Sequence, residues 1–529
     1  MSVGQPDAID SARPIAAGGN GQRTAKKGAL TTDQPSRRTD SAQSLISGRL
    51  ARSQRQIAQR ELGMRSESEI RERMLVFGPL GPYLDAEFSD LLSELLYLLR
   101  EYGIGKLQPD PGNSEQFFEF VGYVHEGWKQ AHSKIASRLS NYIDEIEKLE
   151  KEKKLHHAAR RTDEKKSCIR DIEVIKVRMV ILRRFYDSIA WMFLRGEHSS
   201  IRRFVSSGGV DNLSRKNIEE AEAYLESANG DPLTIAISSD MTTFIHTGDV
   251  LQFNAKKGVA LIELKSGDKN MELYKAANFA VASDCPHFME LYTSDLNEKD
   301  SKHFHRARKQ IDRANNIVQV INNGTGKDNN TGDTVSTPEP TIQPESYSDV
   351  IVRLYKSLSE EKTWALDVVD ECLYVGVYSD RKMAMVGFNS WIDGLGCSDK
   401  AYNILSFLKD PLVRPLPYFD LPTDLLDKIL RDEVIVALCL DIPALIYASN
   451  KRHPNLLSLM SKTESAPLLK GWLVPLSHDG QVVKFSLGEH EGWMGSGLLA
   501  RIIFDFQRPL NVVEQQFSVA YDAEASSDN

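Results

Sequence analysis

Two short apolar runs face each other across a turn near the middle of this 529-residue chain, and each carries charge inside it. The first is His246-Thr247-Gly248-Asp249-Val250-Leu251. The second is Val259-Ala260-Leu261-Ile262-Glu263-Leu264-Lys265-Ser266-Gly267. Between them, Asn254-Ala255-Lys256-Lys257-Gly258 has turn chemistry, opening on Asn and closing on Gly. A hairpin symmetric about Lys256 sets Asp249 opposite Glu263, and directly opposed residues share a sheet face. Strand alternation puts Lys265 on that face as well. Val259, Leu261, Ile262 and Leu264 supply apolar side chains to both faces of the second run, the pattern of a covered central strand.

Two carboxylates among apolar strands are costly to bury unless they are paired or bind a metal. A hard divalent cation, Mg²⁺ or Mn²⁺, meets that need with a few carboxylate oxygens and several waters. Its bound water becomes a better nucleophile, and the ion and a neighbouring Lys stabilise charge developing on a phosphate. Asp249, Glu263 and Lys265 are therefore the candidate catalytic residues, with Asp249 and Glu263 as metal ligands.

The arrangement resembles the PD-(D/E)XK nuclease superfamily, the fold of many restriction endonucleases and repair nucleases. Asp249 matches its first acid and Glu263-Leu264-Lys265 its triplet, while Gly248 stands where the name has Pro. The continuation Ser266-Gly267-Asp268-Lys269-Asn270 is similar to nucleases of bacterial defence systems. The resemblance implies a restriction-endonuclease-like core, metal-dependent hydrolysis of phosphodiester bonds in DNA or RNA, and a role in antiphage defence. It also implies an extra acid from a helix before the sheet. Ser214 can cap such a helix to about Ser227, and Glu222 lies on the side of Ile218, Ala221 and Leu225. Glu222 is thus the third expected metal ligand, with Glu226 next. A basic helix over 302–321 carries Arg306, Arg308, Lys309, Gln310 and Arg313. Similar groupings follow the third strand in nucleases of this kind and contact phosphate, which Arg and Lys neutralise without reading sequence.

Composition narrows the alternatives. The formal net charge of −9 does not favour wholesale coating of nucleic acid, although it leaves room for a local basic groove. No apolar run is long enough to span a membrane, and the N-terminus lacks the apolar core of a secretory signal. Cys168, Cys285, Cys372, Cys397 and Cys439 are widely spaced and read as reduced thiols of a cytoplasmic protein. Ser206-Ser207-Gly208-Gly209, which follows Arg202-Arg203, has no Lys-Ser/Thr partner and no preceding strand, so it is not a phosphate-binding P-loop.

The expected fold class is α+β and multi-domain. Residues 1–66 read as a disordered basic arm and 67–208 as a helical domain, with helices over 84–102, 114–155 and 169–193. The last two form an antiparallel coiled-coil-like hairpin, a surface through which copies of the chain can associate. The nuclease-like core spans 209–322, with strands over 233–237 and 243–253 before the second apolar run. A linker or insertion follows over 323–346, then an α/β region over 347–522. There, 364–378 reads as one strand bent at Glu371 that completes the nuclease sheet, because a lone hairpin needs more strands. Residues 434–448, 482–487 and 498–506 are further strand candidates. The competing reading is a non-catalytic nucleic-acid-binding or helical scaffold protein that retains a nuclease-like fold. No base-reading motif distinguishes DNA from RNA.

Overall fold

The structure is a computed structural model in which residues 83–517 are described, apart from 206–212, 266, 330–331, 337–341, 472–473 and 489. The arm expected over 1–66 and the Gly-rich loop at 206–209 lie outside these residues. The chain is mixed helix and antiparallel sheet, an α+β protein.

Helix α1 (Ala86–Arg100) starts where the Asp85 carboxylate accepts from the Phe88 amide at 2.8 Å. It buries Phe88, Leu92, Leu95, Leu96 and Leu99, a helix-period stripe. Asn113 caps α2 (Ser114–Ala158) in the same way, and α3 (Thr162–Phe193) returns after only three residues. Arg160 turns the chain there with φ of 55°. The helix runs past the end expected near 155, through the charged stretch that begins at Lys151. That stretch remains helical because Lys, Glu and Leu are good helix formers whatever their polarity. Ile135, Leu139, Ile175, Ile181 and Leu182 seal the proximal half of this pair, and beyond Tyr142 no residue of α2 is fully buried.

After α4 (His198–Phe204) and α5 (Arg215–Ala228), the latter capped by Ser214, comes a three-stranded antiparallel sheet. Its strands are β1 (Thr234–Ser238), β2 (Val250–Asn254) and β3 (Gly258–Ile262), in that order. Pairing of Val250 with Ile262 and Asn254 with Gly258 centres the hairpin on Lys256, as the turn chemistry implies. The central strand is β2, however, and β3 lies at an edge, contrary to the expectation from its apolar residues. Two helices, α6 (Asp268–Ser283) and α7 (Glu298–Asn323), pack through Leu273, Ala277 and Ala280 against Phe304, Ala307 and Ile311, and α7 contacts β3. The Asn322 side chain on α7 closes the free edge: its amide accepts from the Val259 N–H and donates to the Val259 carbonyl, each at 2.9 Å. A helix can therefore cover an edge strand well enough to give it a central strand's composition.

Within the stretch read as a linker, β4 (Thr325–Lys327) and β5 (Thr334–Ser336) pair antiparallel, and β4 packs on α7. The region 364–378 is two strands, β6 (Trp364–Val369) and β7 (Leu373–Tyr378). They join β8 (Ala401–Asn403) and β9 (Ile435–Leu440) in a separate sheet of order β6-β7-β9-β8, so 364–378 does not complete the β1-β2-β3 sheet. Asp370 and Glu371, both at positive φ, are the central residues of a turn that Cys372 closes by donating its N–H to the Val369 carbonyl at 3.1 Å. Without an Asn-Gly signature and with apolar residues on either side, the turn resembled a bend. Strand β9 ends at Leu440, and α8 (Ile442–Arg452) takes up the rest of the 434–448 run. The run at 482–487 is a strand, within β10 (Gln481–Leu487). That at 498–506 is instead α9 (Gly497–Phe504), which buries Leu498 and Ile502 one turn apart.

The described residues belong to one compact unit. Its main apolar cluster runs from Leu95 and Leu139 through Phe185 and Ile235 to Val375 and Ile503.

Candidate active site

The site grows from the ends of the β2–β3 hairpin. Asp249 precedes β2 by one residue and donates its N–H to the Ile262 carbonyl at 2.9 Å, one residue out of step with the Val250–Ile262 pairing where the regular ladder ends, and its carboxylate is close enough to Glu263 and Lys265 to feel both charges. Gly248 has φ of 77°, and a Cβ there would lie 3.1 Å from the Leu261 side chain. Proline, with φ fixed near −65°, could not take this conformation.

Glu263 and Lys265 follow β3 on one face, with Nζ 2.8 Å from Oε2. The Glu263 side chain is 7% exposed and that of Lys265 20%. The Lys265 ammonium also lies 5.7 Å from the centre of the Tyr274 ring on α6. Asp249 Oδ2 accepts from the Leu264 amide at 2.6 Å. Burial, and then the Glu263 charge, push the Asp249 carboxyl up to about 6, against smaller downward pulls from the Leu264 amide and Lys265. Tyr274 is raised as well, by burial first and then by Glu263 and Asp249.

Glu222 stands elsewhere. Its carboxylate is 3.4 Å from His132 Nε2 on α2. That contact is an ion pair by distance but not a well-formed hydrogen bond, since Nε2 has no hydrogen-bond partner by geometry. Interaction with His132 lowers the Glu222 pKa. Helix α5 does turn Glu222 inward, but towards the helical hairpin. The carboxylate that adds to Glu263 in raising Asp249 is Asp240, just beyond β1. The Ser239 N–H bonds to the Asp249 carbonyl at 2.9 Å, which explains that proximity. Asp240 and Tyr274 are the site residues that the motif did not reveal; an acid closing an apolar strand was the available signal for Asp240.

The loop from β1 to Asp249 is held from α3. Arg183 donates to the carbonyls of Asp240, Met241 and Thr242. Asp187 accepts from the Thr243 amide at 2.8 Å and from its hydroxyl at 2.5 Å, and is paired with Arg184 at 2.8 Å. Tyr186 accepts from the Ser238 amide at 2.9 Å. The strand expected over 243–253 forms only from Val250, because before it the Thr243 amide bonds to Asp187, the Ile245 amide to the Thr242 hydroxyl and the His246 amide to the Phe204 carbonyl. The sequence signal was three charged residues, Arg183, Arg184 and Asp187, in the mainly apolar stretch 179–193 of α3, which need partners if buried.

Among the basic-helix residues, Arg306 and Lys309 are exposed and Arg308 and Gln310 half-buried. Lys302 one turn earlier pairs with Glu298, whereas Arg306, Arg308 and Lys309 have no ion-pair partner among the described residues. Arg313 turns away and donates to the Val205 carbonyl at 3.2 Å.

Asp249 and Glu263 offer two carboxylates, a donor set that suits Mg²⁺ or Mn²⁺ with the remaining positions left to water and phosphate. Burial and, after it, the Glu263 charge lift Asp249, and a divalent cation would relieve both. Among the described residues, the set of three close metal-type ligands is a different one, Cys397, Asp399 and Asp441. Both of its carboxylates already accept from amides opening α8, Asp399 from Ile442 at 2.8 Å and Asp441 from Ala444 at 2.9 Å. They act there as helix caps. No helix among the described residues is long and apolar enough to cross a membrane. No protein-family profile, curated protein or solved structure matches this chain.

Proposed function

We propose that the chain is a Mg²⁺- or Mn²⁺-dependent nuclease that hydrolyses phosphodiester bonds in DNA or RNA, in keeping with a role in antiphage defence. The observation that supports this reading most is the convergence of Asp249, Glu263 and Lys265 at one end of a hairpin, with Asp249 raised to about 6. Asp249 and Glu263 hold the cation; Glu222, paired with His132, does not join them. The bound ion supplies a Lewis acid and a water of lowered pKa.

Lys265 has two tasks. Without the ion its ammonium steadies Glu263. With phosphate present, it presents positive charge where the attacked group gains negative charge. The Leu264 amide fixes the orientation of Asp249 by holding Oδ2. Arg306, Arg308 and Lys309, with Gln310 beside them, provide positive charge for the phosphate backbone without reading bases. The exposed distal half of the α2–α3 hairpin provides the surface for self-association.

The test is single-turnover cleavage of DNA and RNA with titrated Mg²⁺, comparing the wild type with folded Lys265→Ala. Metal-dependent cleavage lost in the variant is the expected result. Equal cleavage by both proteins would overturn the assignment. Binding of nucleic acid by the wild type with no cleavage under any metal would favour the non-catalytic reading.

A further inference from the structure

Helix α4 packs on α7 beside a cleft of about 280 Å³, lined by Ser199, Arg202, Arg203 and Val205 and by Arg313, Asp328 and Asn329. None of these residues belongs to the Asp249 cluster. Three guanidinium groups meet one carboxylate, so the cleft carries excess positive charge. Arg203 Nη1 is 3.3 Å from Asp328 Oδ2, a long contact for a charged pair. The Nε atoms of Arg203 and Arg313 are both buried and lack a hydrogen-bond partner. A guanidinium keeps its proton whatever its surroundings, so both side chains stay charged in the lining of the cleft. Arg313 is held in place from behind: Asn329 donates to its carbonyl at 3.2 Å and accepts from Asn316 at 3.1 Å.

Arg202 strengthens the positive field. It has no ion-pair partner among the described residues. Its Nη2 would be 2.7 Å from a Cβ at Gly497, so glycine at the start of α9 is what admits the side chain. Arg202 thus lies at the positive end of a helix, near a second cation, Arg501, whose own charge is offset by Asp505 and Glu197. The excess of positive charge in the cleft itself, three guanidinium groups against Asp328, is what an anion would answer.

We propose that this cleft is a phosphate-binding site in which Arg202, Arg203 and Arg313 take the phosphate group of a nucleotide or of a nucleic-acid backbone. Phosphate suits it better than carboxylate because its oxygens can accept from two guanidinium forks and a third N–H at once. The volume lies near the lower end of ligand pockets, roughly 300–1,000 Å³, and suits one phosphate with its sugar rather than several nucleotides. The site is not the P-loop excluded by sequence, since it is built from arginine side chains and not from a Gly-rich backbone. It stands independently of cleavage at Asp249.

The experiment uses the full chain in metal-free buffer and follows binding by calorimetry. Its probes are inorganic phosphate, adenosine monophosphate and a short single-stranded oligonucleotide. The proposal expects saturable binding that weakens by about tenfold or more in Arg203→Gln and Arg313→Gln. Arg202→Gln tests the same point at an exposed side chain, where folding is not in question, and should weaken binding severalfold. Lys299→Gln removes an exposed charge from the first turn of α7 and controls for net charge. If the mononucleotide binds at least as well as the oligonucleotide, the site holds a nucleotide. If the oligonucleotide binds more tightly and suffers the same losses, the site anchors a backbone. No saturable binding of any probe, or equal weakening in Lys299→Gln, overturns the proposal. Because the measurement is of binding, an absence of cleavage does not count against it.

Discussion

Lys265 Nζ lies 2.8 Å from Glu263 Oε2, two residues away on the same face of the hairpin, while the Asp249 carboxylate accepts instead from the Leu264 amide at 2.6 Å. One cation is thus shared unequally between two carboxylates. Burial and Glu263 then raise Asp249 to about 6. Removing Lys265 should leave both acids facing each other without neutralisation. In Lys265→Ala, cleavage should fall to background while Mg²⁺ still binds, since in the proposed mechanism the lysine acts on water and phosphate and not on the ion. Metal titration by calorimetry beside single-turnover cleavage checks both halves.

Asp249 also makes stability depend on pH. Its folded pKa of about 6 exceeds the ordinary 3.8, so the folded state binds its proton more tightly than the unfolded state does. This contribution is complete below 3.8, shrinks as pH rises and is gone above about 6. Asp249→Asn keeps an acceptor for Leu264 and carries no charge. In metal-free buffer it should stabilise the protein by about 1 kcal/mol at neutral pH, a figure discounted for solvent screening, and by almost nothing near pH 4. Urea midpoints at the two pH values measure the difference. A destabilised variant at neutral pH would contradict this account.

The unpaired cations of α7 give a salt-dependent signature. Charge reversal at Arg306, Arg308 and Lys309 should weaken binding to all sequences alike. The slope of log affinity against log salt should fall by about 0.9 for each lost contact to duplex DNA, or about 0.7 for a single strand. An unchanged slope in a fluorescence-anisotropy titration would show that this face is merely solvated.

The Arg184–Asp187 pair is fully buried, with side chains 1% and 0% exposed. Asp187→Ala would leave the guanidinium buried without its carboxylate and strip Thr243 of its acceptor. The expected cost is about 3–5 kcal/mol of stability, read from chemical denaturation. A change near zero would mean that water replaces the lost partner.

The hairpin register was legible because a symmetric polar turn and two charged apolar runs allow only one pairing that gathers the charges. The position of β3 was not, because α7 and the Asn322 amide give an edge strand the cover usually provided by another strand. Glu222 illustrates a further limit: helical periodicity gives the side on which it lies but not what stands there, which is His132. For 498–506, an apolar stretch of that length fits either a buried strand or a buried helix, and packing settles it as α9. Asp370-Glu371 shows that a tight turn can form without glycine, at residues with little left-handed preference beyond that of Asp.

Arg183, Tyr186 and Asp187 belong to the helical hairpin, yet their hydrogen bonds end on residues 238–243. Residues 209–322 are consequently a poor unit for transplantation. Cut out alone, the segment would keep the β2–β3 turn and Lys265 but lose the fastening of the loop that delivers Asp249. The two acids would then drift relative to each other on either side of an intact turn. A working graft would have to bring the last turns of α3 with it, so recombination within this chain is constrained by a helix that never touches the chemistry.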